Sequence, residues 1–387
     1  MDRDCHGSRY VYRSGHDSNE LTVGAGRGHQ ALELCGIRVT HIGIDARRWA
    51  GARSVPNGCY HIDASGRESL LPSGDSTLTD LNNSNRREFL AHSAALTAAA
   101  ALPVGSFAQE TMRARPIPGT DEFLPVIGLG APDIFIDLPP EGKELPIAVL
   151  ETMIDLGGRL LDTPSFFRPN VPYLGELIEE MGIRDQMFLT GKITVNGKEA
   201  GIQHLERLVA NLNKEPMDLL MIHNMRTIDE HWPTLKEWKE AGRTRYIGVS
   251  RTRQRDYVEF DQFIRTERPD FIMTGYSIHN PMAAETTLPL AADLGIAVLI
   301  VEAFRTNDDG ALFSLVADKP LPEWAAEFDI ETWAQFSLKY ILSHPAVTGV
   351  VTETRQVRHV IDNMRAGYGR LPDAATRQRM SEYLLSL

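Results

Sequence analysis

Met217-Asp218-Leu219-Leu220-Met221-Ile222-His223-Asn224 is an apolar block with one internal charge, closed by a histidine. It is continuous rather than alternating, and too short for a buried helix. A strand of a parallel sheet, covered on both faces, reads this way. Downstream, the apolar residues of Trp232–Ala241 recur at three and four, which predicts a helix, and Gly242 stands where a helix C-cap belongs. A second strand-like run, Arg245–Ser250, follows. The unit is therefore strand, helix, strand, and it repeats in both directions. Further runs are Leu124–Leu129, Gly158–Asp162, Met187–Lys192, Phe271–Ser277, Ile296–Glu302 and Val347–Thr352. Helix-period segments lie between them at Ile147–Leu156, Leu174–Met181, Ile202–Leu212, Tyr257–Ile264, Leu288–Leu294 and Thr332–Leu342. Eight strands alternating with helices over about 260 residues predict an α/β fold, a (β/α)8 TIM barrel. A doubly wound open sheet is the alternative. It usually carries a Gly-rich turn after an early strand, and Gly128-Leu129-Gly130 is only a fragment of one.

The chain has 387 residues, 42% of them hydrophobic, enough for a sizeable core. Its 40 basic residues against 52 acidic ones leave a net charge of −12. Nucleic acid is not expected as a partner, because phosphates call for a basic face. Residues 1–108 hold eleven Arg, no Lys and eleven acids, so the whole negative balance lies in 109–387. No hydrophobic period runs through 1–83. That stretch reads as a disordered leader, or as sequence translated from upstream of the true start codon.

Residues 84–108 differ in kind. Arg86-Arg87-Glu88-Phe89-Leu90 precedes an Ala- and Leu-rich run, His92 to Val104, and Ser106-Phe107-Ala108 ends it with small residues at the positions a signal peptidase reads. The order of charged, apolar and small residues is that of an export signal, and the paired arginines resemble a twin-arginine signal. The expected location is the bacterial periplasm, with the twin-arginine export machinery as a partner. The apolar run is too short for a membrane span, and none is expected in the mature chain. Cys5, Cys35 and Cys59 all precede the signal, so a mature chain of 109–387 has no thiol for disulfides or catalysis. No spacing of ligand residues suggests a metal.

A barrel collects its chemistry at the C-terminal ends of its strands. Read in order, those positions hold Asp162, Lys192, His223, Ser250-Arg251, Tyr276, Glu302 and Glu353. Each alone has an ordinary structural reading. Together they point to one mouth at which a Lys–Asp pair beside a histidine can handle protons.

The segments Leu124-Pro125-Val126-Ile127-Gly128-Leu129-Gly130, Leu161-Asp162-Thr163, Leu189-Thr190-Gly191-Lys192, Met217–Asn224 and Tyr246-Ile247-Gly248-Val249-Ser250 resemble the aldo/keto reductase family, in particular its exported branch. The resemblance covers about 113–387. It implies a TIM barrel, NADP(H) as cofactor and a small carbonyl or hydroxyl compound as substrate. It also implies a catalytic tetrad in which Tyr protonates the carbonyl, Lys paired with Asp tunes that Tyr, and His orients the carbonyl. Asp162, Lys192 and His223 match three members.

The pattern departs elsewhere. Phe167 stands where the family has the acid Tyr, and Tyr173 is the nearest tyrosine. Gly130-Ala131 replaces Gly-Thr, and Met273 replaces a Gln that holds the nicotinamide amide. Tyr276 is expected to remain as the stacking aromatic. Glu302 and Glu353 bring carboxylates to the ends of the seventh and eighth strands, near where a dinucleotide's phosphates are expected. Ser250, Arg251, Tyr276, Arg355 and Asn363 are the remaining cofactor candidates, and Arg251 and Arg305 could receive an anion. Three functions stay open on these residues. One is an oxidoreductase of atypical site. Another is a cofactor-independent lyase or isomerase using Asp162, Lys192 and His223, with Glu302 and Glu353 as further acid/base groups. The third is a non-catalytic periplasmic binding protein.

Overall fold

The computed structural model describes residues 111–130, 133–136, 141–163, 173–252, 257–306 and 310–387, together with three short strands nearer the N-terminus. The chain divides into two compact units, Met1–Val104 and Gly105–Leu387. In the first, Leu32–Glu33, Tyr60–Ile62 and Glu68–Leu70 pair antiparallel, a feature the composition of 1–83 did not announce. The rest of that unit lies outside the described residues, and with it the expected export signal of 84–108.

The second unit is a closed barrel of eight parallel strands. They are β1 (Ile127–Gly130), β2 (Leu160–Asp162), β3 (Phe188–Ile193), β4 (Met217–Ile222), β5 (Thr244–Arg251), β6 (Phe271–Gly275), β7 (Ala297–Val301) and β8 (Gly349–Glu353). Helices alternate with them: α1 (Glu144–Asp155), α2 (Tyr173–Glu180), α3 (Lys198–Leu212), α4 (Ile228–Glu240), α5 (Tyr257–Glu267), α6 (Thr287–Leu294), α7 (Trp333–Leu342) and α8 (Val357–Arg365). A further helix, α9, spans Ala374–Leu385. The sheet closes through pairing of β8 with β1, so the open-sheet alternative is excluded.

The continuous apolar blocks are buried from end to end in β3 and β4, as strands between an inner core and a helix layer must be. Asp218, the one charge in the opening block, is buried. Lys214 Nζ (2.6 Å), Arg245 Nη1 (2.8 Å) and the Leu189 amide (2.7 Å) all meet its carboxylate. A charge survives in such a strand only when paired and hydrogen-bonded in this way. Gly242 takes the left-handed conformation after α4 (φ 73°), as its C-cap position predicted.

One predicted strand is corrected. Leu124–Leu129 is not a single element but two. Phe123–Pro125 pairs antiparallel with Ala114–Pro116, and the barrel strand starts only at Ile127. This hairpin closes the N-terminal end of the barrel. Ile117 and Leu124 pack with Leu160, Phe188, Leu219, Phe271, Ala297 and Leu299 inside it. Phe188, Tyr246 and Phe271 form an aromatic triangle there, with ring centroids 5.4–6.1 Å apart. Glu122 accepts from Tyr246 Oη (2.7 Å) and from Arg245. Arg115 donates to the carbonyls of Leu342, His344 and Val347, gathering the chain between α7 and β8 onto the floor.

Candidate active site

Side chains alternate along a strand, so Phe188 inside the barrel puts Thr190 and Lys192 on the same inner face. Lys192 lies near the open end of β3 and is only 8% exposed. Its Nζ lies 2.5 Å from both carboxylate oxygens of Asp162, the last residue of β2. The Thr190 hydroxyl also donates to Asp162 Oδ1. Sequence reasoning passed over Thr190. Its two-residue spacing from Lys192 could have shown it. An ammonium this deeply placed needs a partner, and the two-oxygen contact supplies one.

His223 follows β4. Burial pushes its imidazole pKa below the usual value, and the charges of Lys192 and Arg226 push it the same way, against an opposing pull from Asp162. The ring is therefore neutral near pH 7 and lies within the field of the Lys192–Asp162 pair. The structure thus brings together Asp162, Lys192 and His223. The turn that holds His223 is strained: Asn224, Met225 and Thr227 have φ of 52°, 54° and 42°. It is tied down by its neighbour strand. Asn224 Oδ1 accepts from the Thr252 amide (2.8 Å) and hydroxyl (3.0 Å). The Asn224 amide donates to Ser250 Oγ (3.0 Å). Ser250 is fully buried, and its hydroxyl holds this turn.

The other candidates are scattered. Tyr276 was expected to offer a ring face at the mouth. It is instead 1% exposed, packed against Tyr340 and His344 with both centroids at 5.8 Å, and burial raises its phenol pKa. A ring covered by helix α7 and the segment after it has no face left for a nicotinamide. Tyr173 opens α2, and its Oη is buried with no hydrogen-bond partner. Its place as a buried residue of α2 puts it in the helix layer, and burial together with the charges of Glu180 and Glu144 raises its pKa. Glu302, just past β7, is left-handed (φ 58°) and accepts from Arg305 Nη1 at 2.8 Å. Glu353 ends β8 and pairs in register with Gly130 of β1. Arg251 ends β5 half-buried, and its Nε is buried with no hydrogen-bond partner. Arg355 follows β8, and Asn363 is buried on α8. Phe167 and Ala131 lie outside the described residues. No cluster of metal-ligating side chains occurs among the described residues.

Residues 126–378 match the model of the aldo/keto reductase family. The chain belongs to that family. A methylglyoxal reductase of Salmonella typhi is 30% identical over 115 residues, covering 28% of this chain and 43% of that protein. An aldo-keto reductase of Mycolicibacterium vanbaalenii is 31% identical over 137 residues, covering 34% and 46%. The matched segment thus spans less than half the length of these curated relatives. Among solved structures, the barrel resembles an aldo-keto reductase of Bacillus halodurans, with TM-score 0.54, 20% identity and coverage of 70% of this chain and 96% of the other. A putative aldo-keto reductase from Pseudomonas has TM-score 0.52 at 20% identity, over 68% and 97%. At these identities the structural likeness supports the fold. No helix among the described residues is long and apolar enough to cross a membrane.

Proposed function

We propose that this aldo/keto reductase family member is a nicotinamide-dependent oxidoreductase that reduces a small carbonyl compound. The observation that carries the reading is the Lys192–Asp162 ion pair beside a neutral His223 at the barrel mouth. Of the three, Lys192 brings the donor hydrogens, and Asp162 holds it in place through both carboxylate oxygens. The neutral His223 suits orientation of a carbonyl oxygen by hydrogen bonding, and suits proton donation poorly. With Phe at 167, the alkoxide that forms takes its proton from Lys192, directly or through a water that Lys192 holds.

When bound, the reduced nicotinamide supplies the hydride. The donors at the end of β5 fit its ring end: Arg251 has a buried, unsatisfied Nε, which a carboxamide oxygen would satisfy. Arg355 and Asn363 would serve its phosphate end. Glu302 and Glu353 oppose it there, since like charges repel. The arrangement favours weak NADP(H) affinity. Titration of the chain with NADPH and NADH, read by Trp fluorescence, is expected to give weak binding that tightens about tenfold in Glu353→Gly. Submicromolar NADPH binding by the unaltered chain would overturn that expectation.

The reading itself is tested by NADH- or NADPH-dependent reduction of methylglyoxal. Lys192→Met is expected to lower kcat by about 10²–10⁴-fold, the range for a placed proton donor. Undiminished turnover in Lys192→Met would remove this site.

A further inference from the structure

Helix α3 turns a regular apolar stripe toward the barrel. Its buried positions are Gly201, His204, Leu205, Leu208, Val209 and Leu212. The spacing of three and four is that of a core-facing helix, and His204 occupies one of its inward positions. An imidazole there loses water without a hydrophobic gain of its own, so it must find a partner. It does: His204 is 3% exposed, and its Nε2 lies 2.9 Å from the backbone carbonyl of Lys192. Burial lowers the His204 pKa, so the ring is neutral and Nε2 carries the hydrogen that bonds the carbonyl.

The place of this bond matters. Register between β2 and β3 ends at Asp162 opposite Thr190, two residues before Lys192. Among the described residues, the last bond on that edge runs from the Thr163 amide to the Thr190 carbonyl. Beyond it, the Lys192 carbonyl takes its hydrogen from a side chain. A second imidazole repeats the arrangement one step on. His231, from α4 and 1% exposed, has Nε2 2.9 Å from the Val195 carbonyl. Helix α3 itself packs against the second ring, since a Cβ on its Gly201 would lie 2.5 Å from His231 Cε1. Two helices thus grip the end of β3 on either side of Ile193 and Thr194, where strand becomes loop.

We propose that His204, seconded by His231, is a positioning residue for Lys192. By holding the Lys192 carbonyl it fixes the backbone from which the ammonium reaches Asp162, and so the geometry of the pair. The inference rests on the reading of Lys192 as a functional group. Displacement of a reacting group by about 1 Å can cost 10²-fold in rate, so this bond at the strand end has leverage out of proportion to its strength.

The test uses the full chain with His204→Leu and His204→Met, which cannot donate, and His204→Gln, which can. Reductive methylation with formaldehyde and borane, followed lysine by lysine by mass spectrometry, reads the exposure of the Lys192 amine without a substrate. Lys339 serves as internal control, being fully buried elsewhere with its ammonium on the carbonyls of Phe328, Tyr368 and Arg370. In the Leu or Met variant we expect Lys192 to react about tenfold faster with Lys339 unchanged, and Gln to restore the slow rate. In methylglyoxal reduction, kcat should fall about tenfold or more with KM within about twofold, and Gln should recover it. The proposal is overturned if Lys192 keeps its rate in both non-donating variants. It is overturned equally if Lys339 accelerates in step, which is general loosening, or if Gln does no better than Leu. Lys192→Met, run alongside, separates the two ideas. Full turnover in that variant sinks the functional reading, while the labelling result still decides whether His204 holds Lys192 in place.

Discussion

The two ends of the barrel are built from different materials. The floor is apolar and aromatic: Phe188, Tyr246 and Phe271 pack under a hairpin, and the ionic groups nearby, Arg245, Glu122 and Asp218, are all matched in pairs. The mouth carries a buried ammonium, a neutral imidazole, a guanidinium nitrogen with no hydrogen-bond partner, and the left-handed non-glycine residues Asn224, Met225, Thr227 and Glu302. Each left-handed non-glycine residue costs on the order of 1–3 kcal/mol of stability. Such residues also occur away from the mouth, Asn213 after α3 and Arg268 after α5, and Asp218 is a buried charge at the floor. What sets the mouth apart is an ion pair beside a neutral imidazole, where a barrel does chemistry. Position along a strand therefore tells what a residue is for: Phe188 and Lys192 share one strand and one face, four residues apart.

Changes at the mouth should move activity and leave stability, while changes at the floor should do the reverse. The largest effect is expected from Phe167→Tyr, which introduces the acid that the family resemblance implies. Carbonyl reduction should rise by up to about 10²–10⁴-fold in steady-state assays. No gain, or a loss, would mean that the site no longer works as a reductase of that kind. At the floor, Phe271→Ala removes a fully buried ring and should cost about 3–5 kcal/mol in denaturant unfolding, with kcat unchanged while the protein stays folded. A comparable fall in kcat at constant foldedness would blur the division of labour.

A smaller effect distinguishes the ends by pH. His344, beside the floor arginine Arg115 and near Arg377, has its pKa pushed down to about 4, first by burial and then by those two charges. Unfolded, it takes up its proton near 6.5. Its native pKa is depressed, so the stability of its neutral form is complete above 6.5 and is lost as pH falls from there toward 4. The loss is on the order of 3 kcal/mol at most. Urea unfolding at pH 7.5, 5.5 and 4.5 should show that slope, and His344→Gln should flatten it. An unchanged slope in that variant would place the acid sensitivity elsewhere, for instance at His223 or His204, whose pKa values are also lowered.

The barrel was legible because burial on both faces leaves a mark in the chain: unbroken apolar blocks at regular intervals. The ion pair was legible because Asp162 and Lys192 each end such a block. Leu124–Leu129 misled because Pro125 and Val126 are as apolar as the strands around them. The break there is a change of pairing partner, which composition does not record. Tyr276 misled because a tyrosine at a strand end looks the same whether its ring faces the mouth or turns under a helix. What turned it was Tyr340 and His344, more than sixty positions away. His204 left a faint signal, a polar ring on an apolar stripe. Only the 2.9 Å contact with the Lys192 carbonyl tells which backbone it serves.

Arg115 bonds the carbonyl of His344 across 229 residues of chain. That bond, like the pairing of β8 with β1, joins the beginning of the barrel to its end. On a ribosome the hairpin emerges first and must wait for nearly the whole polypeptide before its partners exist. Until then Ile117 and Leu124 have no complete interior to enter, and the nascent barrel has two unpaired edges. Completion is thus a late, long-range event, and a shortened chain that stops before residue 349 ends with those edges open.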